Sequence, residues 1–159
     1  MNSTLAIPRG FTGCLTFVGL GIGSTPEELS LASTVGTGFD YAIDGICYHG
    51  DDDASTASIP AVTLDTQAAD TTCLWLVQIN AGGTVSMVKG TDVLNTDIDN
   101  GRVALDWPEP DADNCPIGAV KVKTVGTAFI PDTDSFAESW VTDVYYNFAG
   151  GMPSRPLVP

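Results

Sequence analysis

The stretch Phe39-Asp40-Tyr41-Ala42-Ile43-Asp44-Gly45-Ile46-Cys47-Tyr48-His49-Gly50 decides the fold. Asp44-Gly45 is a two-residue type I′ turn signal, because both positions of that turn need positive φ. Folding the chain about it sets Ile43 opposite Ile46 and Tyr41 opposite Tyr48, which with Phe39 make one apolar face. The other face pairs Ala42 with Cys47 and Asp40 with His49. One register satisfies both faces, and that agreement identifies an antiparallel hairpin better than either strand does alone.

A second hairpin follows from the same test. Cys73–Ile79 and Thr84–Val88 flank Ala81-Gly82-Gly83. A three-residue loop with Gly83 left-handed pairs Ile79 with Val85 and Val77 with Met87, and keeps Trp75 on that face. Two-residue loops set Thr84 and Ser86 against the apolar residues instead, so the longer loop is preferred. Gly13–Gly23 alternates apolar residues with glycine and reads as a strand opening the sheet. Ile117–Val125 points Val120, Val122 and Thr124 one way and Ala119, Lys121 and Lys123 the other. The last strand, near Val141–Phe148, carries Val144, Tyr146 and Phe148 on one face. Thr25-Pro26-Glu27-Glu28 has the form of a capped helix start and predicts one or two helical turns. Residues 89–116 read as turn-rich connection.

Composition agrees. With 17 glycines, 10 prolines and 43% apolar residues, the chain has a real core and little helix-building material. The expected fold is all-β: an antiparallel β-sandwich or barrel-like module built from hairpins. It would occupy 13–149, as one domain or as two small β modules (13–70 and 71–149). An extended N-terminal arm, 1–12, and a Pro-rich extended tail, 150–159, flank it.

The formal charge is −14, and residues 51–113 hold 12 of the 20 acids against only Lys89 and Arg102. The acidity is therefore expected on outward loops of the central stretch, where like charges stay solvated. Nucleic-acid binding is excluded for want of a basic patch to displace phosphate counterions. No apolar run reaches the ~18 residues of a membrane span. The N-terminal residues show neither the basic nor the apolar region of a signal peptide, so cytoplasmic synthesis is expected. Asn2-Ser3-Thr4 matches a glycosylation sequon, which has no use without secretion.

Candidate chemistry is sparse. His49 is the only histidine, so any Ser-His-Asp triad would need it, and no Gly-x-Ser-x-Gly elbow supplies a nucleophile. The plainer reading is a half-exposed cross-strand Asp40–His49 pair. Asp51-Asp52-Asp53 and the Asn95/Asp97/Asp99 series offer oxygen ligands for Ca²⁺. Gly101, however, falls one position late for an EF-hand and no Glu stands at the twelfth position. Solvated loops are preferred, with no metal and no cofactor. Gly19-Leu20-Gly21-Ile22-Gly23 lacks the helix and acid of a dinucleotide fold and reads as a glycine-rich strand or bend. Cys14, Cys47, Cys73 and Cys115 form no Cys-x-x-Cys pair. Four cysteines would allow two disulfides in an oxidising medium, but Cys47 and Cys73 read as small apolar strand residues. Trp75, Trp107 and Trp140 read as core or interface packing, with Trp107 the one expected to be exposed.

The segment order carries a resemblance. The Phe39–Tyr48 hairpin is followed by Thr-Thr-Cys-Leu-Trp-Leu-Val-Gln-Ile-Asn-Ala-Gly-Gly-Thr-Val from Thr71 and by Cys-Pro-Ile-Gly-Ala-Val-Lys-Val from Cys115. Then come Gly-Thr-Ala-Phe-Ile-Pro-Asp-Thr-Asp-Ser-Phe from Gly126, Val144-Tyr145-Tyr146-Asn147-Phe148 and Pro153-Ser154-Arg155-Pro156. Over roughly 38–156 this resembles the head decoration (cement) and head-fibre proteins of tailed bacteriophages. The resemblance implies a β-rich, non-enzymatic virion protein, often a homotrimer, on the outer capsid surface. Its partners would be the major capsid protein and itself, at junctions where it clamps the shell. Candidate capsid or subunit contacts are Ile7, Pro8 and Arg9 in the arm; Tyr145, Tyr146 and Phe148 in the last strand; and Arg155 and Pro156 in the tail. The alternatives are a tail-fibre or baseplate β module, or a carbohydrate-binding module using Trp107.

Overall fold

The computed structural model describes residues 10–23, 27–32, 36–57, 66–131, 133–150 and 152, with 53–57 described for backbone only. Within them the chain is nearly all-β. In order come β1 (Gly13–Cys14), β2 (Leu20–Ile22), β3 (Leu29–Leu31), β4 (Phe39–Ile43), β5 (Ile46–Gly50) and β6 (Asp53–Ala57). They are followed by β7 (Thr71–Asn80), β8 (Val85–Lys89), β9 (Val93–Leu94), α1 (Asn95–Asp99), β10 (Asn114–Thr124) and β11 (Val141–Asn147). All the strand pairs are antiparallel.

The central sheet runs β11-β10-β7-β8, with β9 paired to the start of β7. β7 is buried almost throughout, which explains its unbroken apolar run. A strand covered on both faces has no reason to alternate. Cys73, Trp75, Val77 and Ile79 face the main core with Val120 and Val122, while Leu76 faces the opposite side with Ala119 and Phe148. A β-bulge between Pro116 and Gly118 inserts Ile117, so that Cys115, Ile117 and Val120 all reach the main core. Gly118 is required there: a Cβ would stand 2.5 Å from the Tyr146 carbonyl oxygen.

Two three-stranded sheets, β1-β4-β5 and β2-β3-β6, supply Cys14, Leu20, Leu29, Leu31, Phe39, Tyr41 and Ile43 to the same core. Among the described residues none of the three sheets closes on itself, and residues from 13–70 and 71–149 share one core. Both hairpin registers are as read. Asp44 (φ 51°) and Gly45 (φ 81°) form the first turn, and Ile43 to Ile46 through Asp40 to His49 pair as expected. Gly83 has φ 80°, and Ile79 pairs with Val85 and Val77 with Met87.

Four local expectations are corrected. Thr25 and Pro26 lie outside the described residues, but the helical turns expected after them are replaced by a strand: Leu29–Leu31 pairs with Leu20–Ile22, and both its leucines are buried. Two apolar residues at period two, with a ready partner strand, outweigh a capping signal that has no amphipathic helix behind it. The opening strand over Gly13–Gly23 is broken, because Gly19 turns to φ 72° and sends β1 and β2 into different sheets. Within the turn-rich segment 89–116, Asn95–Asp99 forms a short helix. Cys47 is exposed instead of packed, because β5 is an edge strand and the side of it that carries Cys47 faces solvent.

Candidate functional site

Of the candidate contacts, Ile7, Pro8, Arg9, Arg155 and Pro156 lie outside the described residues, as do most of the arm and tail. Tyr145, Tyr146 and Phe148 are described, and β11 divides them between its two faces. Tyr145 points inward with Val141 and packs half-buried against the main core. Tyr146 and Phe148 point outward, but Trp107 lies over them, with ring centroids 5.6 and 5.3 Å away and planes near perpendicular. Phe148 is only 2% exposed. These rings are therefore largely engaged within their own chain.

Trp107 itself is half-buried, which corrects its expected exposure. The reason is a polar clamp on the loop that carries it. Gln78, fully buried on the outer face of β7, donates from Nε2 to Asp111 Oδ2 (2.6 Å) and to Ser86 Oγ (3.1 Å). Its Oε1 accepts from the Asp111 backbone N–H (2.9 Å). The loop is thereby held across the sheet, and Trp107 covers Leu76, Ala119 and Phe148. A single glutamine in an apolar strand was the available signal for this cover. Its partner in the acidic loop carried none.

What the β10–β11 face leaves to solvent is a narrow strip. Lys121 stands opposite Val144, which is 38% exposed, and Lys123 stands opposite exposed Thr142. Neither strand turns a carboxylate outward here, since Asp143 faces inward beside Tyr145. The Tyr145 hydroxyl and Asp143 Oδ2 are both shielded from water, and neither makes a well-formed hydrogen bond. Burial first, then the Asp143 carboxylate, push the Tyr145 phenol well above its ordinary range. Among the described residues three cations are paired: Lys89 with Asp92 (3.0 Å), Arg102 with Asp97 (3.6 Å) and, on the strip itself, Lys123 with Asp99 (3.6 Å). As largely exposed pairs, the last two add little stability, but they occupy two of the carboxylates of the Asn95/Asp97/Asp99 series. Asn95 is committed as well, accepting from Thr72 Oγ1 (2.7 Å) and donating to the Thr124 carbonyl (2.8 Å). Among the described residues, no three His, Cys, Asp or Glu side chains are grouped to hold an ion.

His49 and Asp40 meet across β4 and β5 at 2.8 Å, each about half exposed. The hydrogen bond that His49 Nδ1 donates to Asp40 Oδ1 raises the histidine pKa, with smaller contributions from the Asp40 charge, from Asp51 and from the Thr37 backbone. The pair lies at the surface of the first hairpin. The four cysteines are free. Burial pushes the thiols of Cys14 up to about 11 and of Cys73 and Cys115 up to about 12.

The most elaborate polar site is one that sequence reasoning missed. Gln67, fully buried, accepts from Trp75 Nε1 (3.1 Å) and donates to the carbonyls of Thr71 (3.2 Å) and Val122 (2.9 Å). Its backbone exchanges two hydrogen bonds with Phe129 (2.9 and 3.0 Å), docking that residue, whose ring lies 5.1 Å from the Phe136 ring at a tilt of 51°. Every polar atom of this amide is used, which makes it a structural tie. Compared with known protein families, with curated proteins and with solved structures, the chain matches none.

Proposed function

We propose that this chain is a non-enzymatic virion structural protein that decorates a bacteriophage capsid. It would bind as a homotrimer at junctions between major capsid proteins and stabilise the shell. The reading rests on the resemblance in segment order and on one structural observation: the uneven surface of the central sheet. Acidic loops carry exposed Asp99, Asp106, Glu109, Asp111 and Asp113. The strip formed by Lys121, Lys123, Thr142 and Val144 carries two lysines and an exposed valine instead, and meets the acidic loops at its margin, where Lys123 pairs with Asp99 (3.6 Å). A shell-binding protein needs this division: an acidic face toward solvent keeps particles apart, and an uncrowded strip can meet another protein. Three weak contacts in one trimer would gain effective concentration from their linkage.

The strip replaces the aromatic residues as the leading contact candidate within the β domain. Cryo-EM of particles carrying this chain tests the reading, with density at junctions of the head lattice as the expected result. Density on a fibre or baseplate would move the protein to the tail. Binding to a glycan array, abolished by Trp107→Ala in a folded protein, would favour a carbohydrate-binding module.

A further inference from the structure

β5 ends its sheet: it pairs with β4 on one side and with no described strand on the other. Its register shows which backbone groups are left over. Ile43 and Ile46 flank a two-residue turn and so exchange hydrogen bonds, as do Tyr41 with Tyr48 and Phe39 with Gly50. The N–H and C=O groups of Cys47 and His49 therefore point away from β4, along the open edge. The opposite strand behaves consistently. Asp40 turns its backbone outward to β1, accepting from Leu15 N–H (2.8 Å) and donating to Thr16 Oγ1 (2.9 Å).

Open edges are normally blunted by lysine, proline, a bulge or a covering element. Ile46-Cys47-Tyr48-His49-Gly50 contains no lysine, proline or bulge and has no covering element among the described residues, and Ile46 is 60% exposed. By contrast, β11 is closed at one end, where Leu20 N–H donates to Asn147 Oδ1 (2.7 Å). In a chain of formal charge −14, β5 is also a strand without a carboxylate. Carboxylates stand only beyond its ends, at Asp44 and from Asp51 on, so two acidic copies meet like charges at the ends of the strand and none along it.

We propose that β5 is a seam along which two copies of this chain join edge to edge, antiparallel, about a two-fold axis at Tyr48. This register is the one that uses every free group. Cys47 of each copy exchanges two backbone hydrogen bonds with His49 of the other, giving four in all. Tyr48 meets its own counterpart as a non-hydrogen-bonded pair, with Cα atoms about 4.5 Å apart. Ile46 lies opposite Gly50 of the second copy, which brings no side chain of its own and is overlaid by that copy's Phe39 ring. The two half-buried tyrosines and the two exposed isoleucines fall on one face and extend the apolar layer begun by Phe39 and Tyr41. The contact is independent of attachment to a shell. If trimers form through another surface, β5 joins them in pairs.

The test is the mass of the purified full chain in solution. Cys47→Pro removes an outward N–H without touching the β4 ladder, and Ile46→Lys places a charge in the seam. The wild type should contain an even number of 16.6 kDa chains, and each variant should have half that mass. Equal masses for wild type and Ile46→Lys, with both folded by circular dichroism, would overturn the proposal. A second measurement uses Tyr48→Cys combined with Cys47→Ser. Oxidised glutathione should convert it to a covalent dimer under native conditions, because a non-hydrogen-bonded pair falls within disulfide reach. A chain that stays monomeric on a non-reducing gel, while folded, would also overturn it.

Discussion

Replacing Gln67 by leucine should be among the more damaging single changes in this protein. Leucine keeps most of the volume and removes the amide. The Trp75 indole N–H would then be buried without an acceptor, costing about 1–3 kcal/mol. The Val122 carbonyl would lose its 2.9 Å donor. The Thr71 carbonyl would keep only a shared one, since the single Thr124 hydroxyl proton lies between it (3.2 Å) and the Ala68 carbonyl (2.9 Å). Adding about 0.5–1.5 kcal/mol for these two gives a total near 3 kcal/mol. For a chain of this size that corresponds to a fall in Tm of about 6–12 °C. Urea unfolding followed by tryptophan fluorescence measures it. The decisive comparison is Gln67→Leu with Trp75→Phe, because the second change removes the orphaned donor. The double variant should be about 1–2 kcal/mol more stable than the sum of the single losses. Additive losses, or a single loss below about 1 kcal/mol, would mean that the amide is not the tie described.

Trp107→Ala should uncover Leu76 and Phe148 and cost about 2–3 kcal/mol, below the roughly 3–5 kcal/mol of a fully buried aromatic because the indole is only half-buried. Chemical denaturation reads this, and a loss below about 1 kcal/mol would show that the loop does not cover the sheet. At pH 8, a thiol reagent should modify Cys47 quickly and Cys14, Cys73 and Cys115 only on unfolding, since burial holds those three mainly protonated. Rapid reaction of more than one thiol in the native protein would contradict their burial. His49 should titrate above its ordinary value in the folded protein, and Asp40→Asn should bring it back, as followed by NMR. A raised folded pKa means that the pair's contribution is full below about pH 6.5 and fades as pH rises through the folded pKa. An unshifted titration in the wild type would remove the ion pair from solution. Gly118→Ala should destabilise by roughly 1–3 kcal/mol through the clash with the Tyr146 carbonyl, and unchanged unfolding midpoints would show that β11 yields at no cost.

Hairpins were legible because period-two patterning and turn chemistry are local, and each register could be checked on two faces. Asp44-Gly45 and Gly83 left little freedom. The strand at Leu29–Leu31 was not legible: three residues carry too little pattern, and only the presence of Leu20–Ile22 across from them decides the outcome. The Trp107 cover and the Gln67 tie were hidden for a related reason. A polar side chain in a strand announces a need for partners, but not which distant carbonyl or indole supplies them. The candidate contacts Tyr146 and Phe148 were recognised as sharing a face, yet Asp111, on a remote loop, determined that Trp107 would cover them. No catalytic constellation was read from the sequence, and the one titratable pair that was, Asp40–His49, lies at the surface.

The pairing of β7 with β10 also governs when this protein can fold. Thr72 pairs with Lys123 and Asn80 with Asn114, so the entire segment 81–113 must close as a loop before the central sheet exists. Hairpins of the Phe39–Gly50 kind form in microseconds, whereas sheets dominated by distant pairings take milliseconds to seconds. Synthesis from the N-terminus presents β1 to β8 well before β10 emerges from the ribosome. During that interval Phe39, Tyr41 and Trp75 lack Val120 and Val122, the residues that complete their core, and stay accessible to water and to other chains. Completion of the fold waits on the strand at 114–124, and the early hairpins hold their registers without yet having an interior.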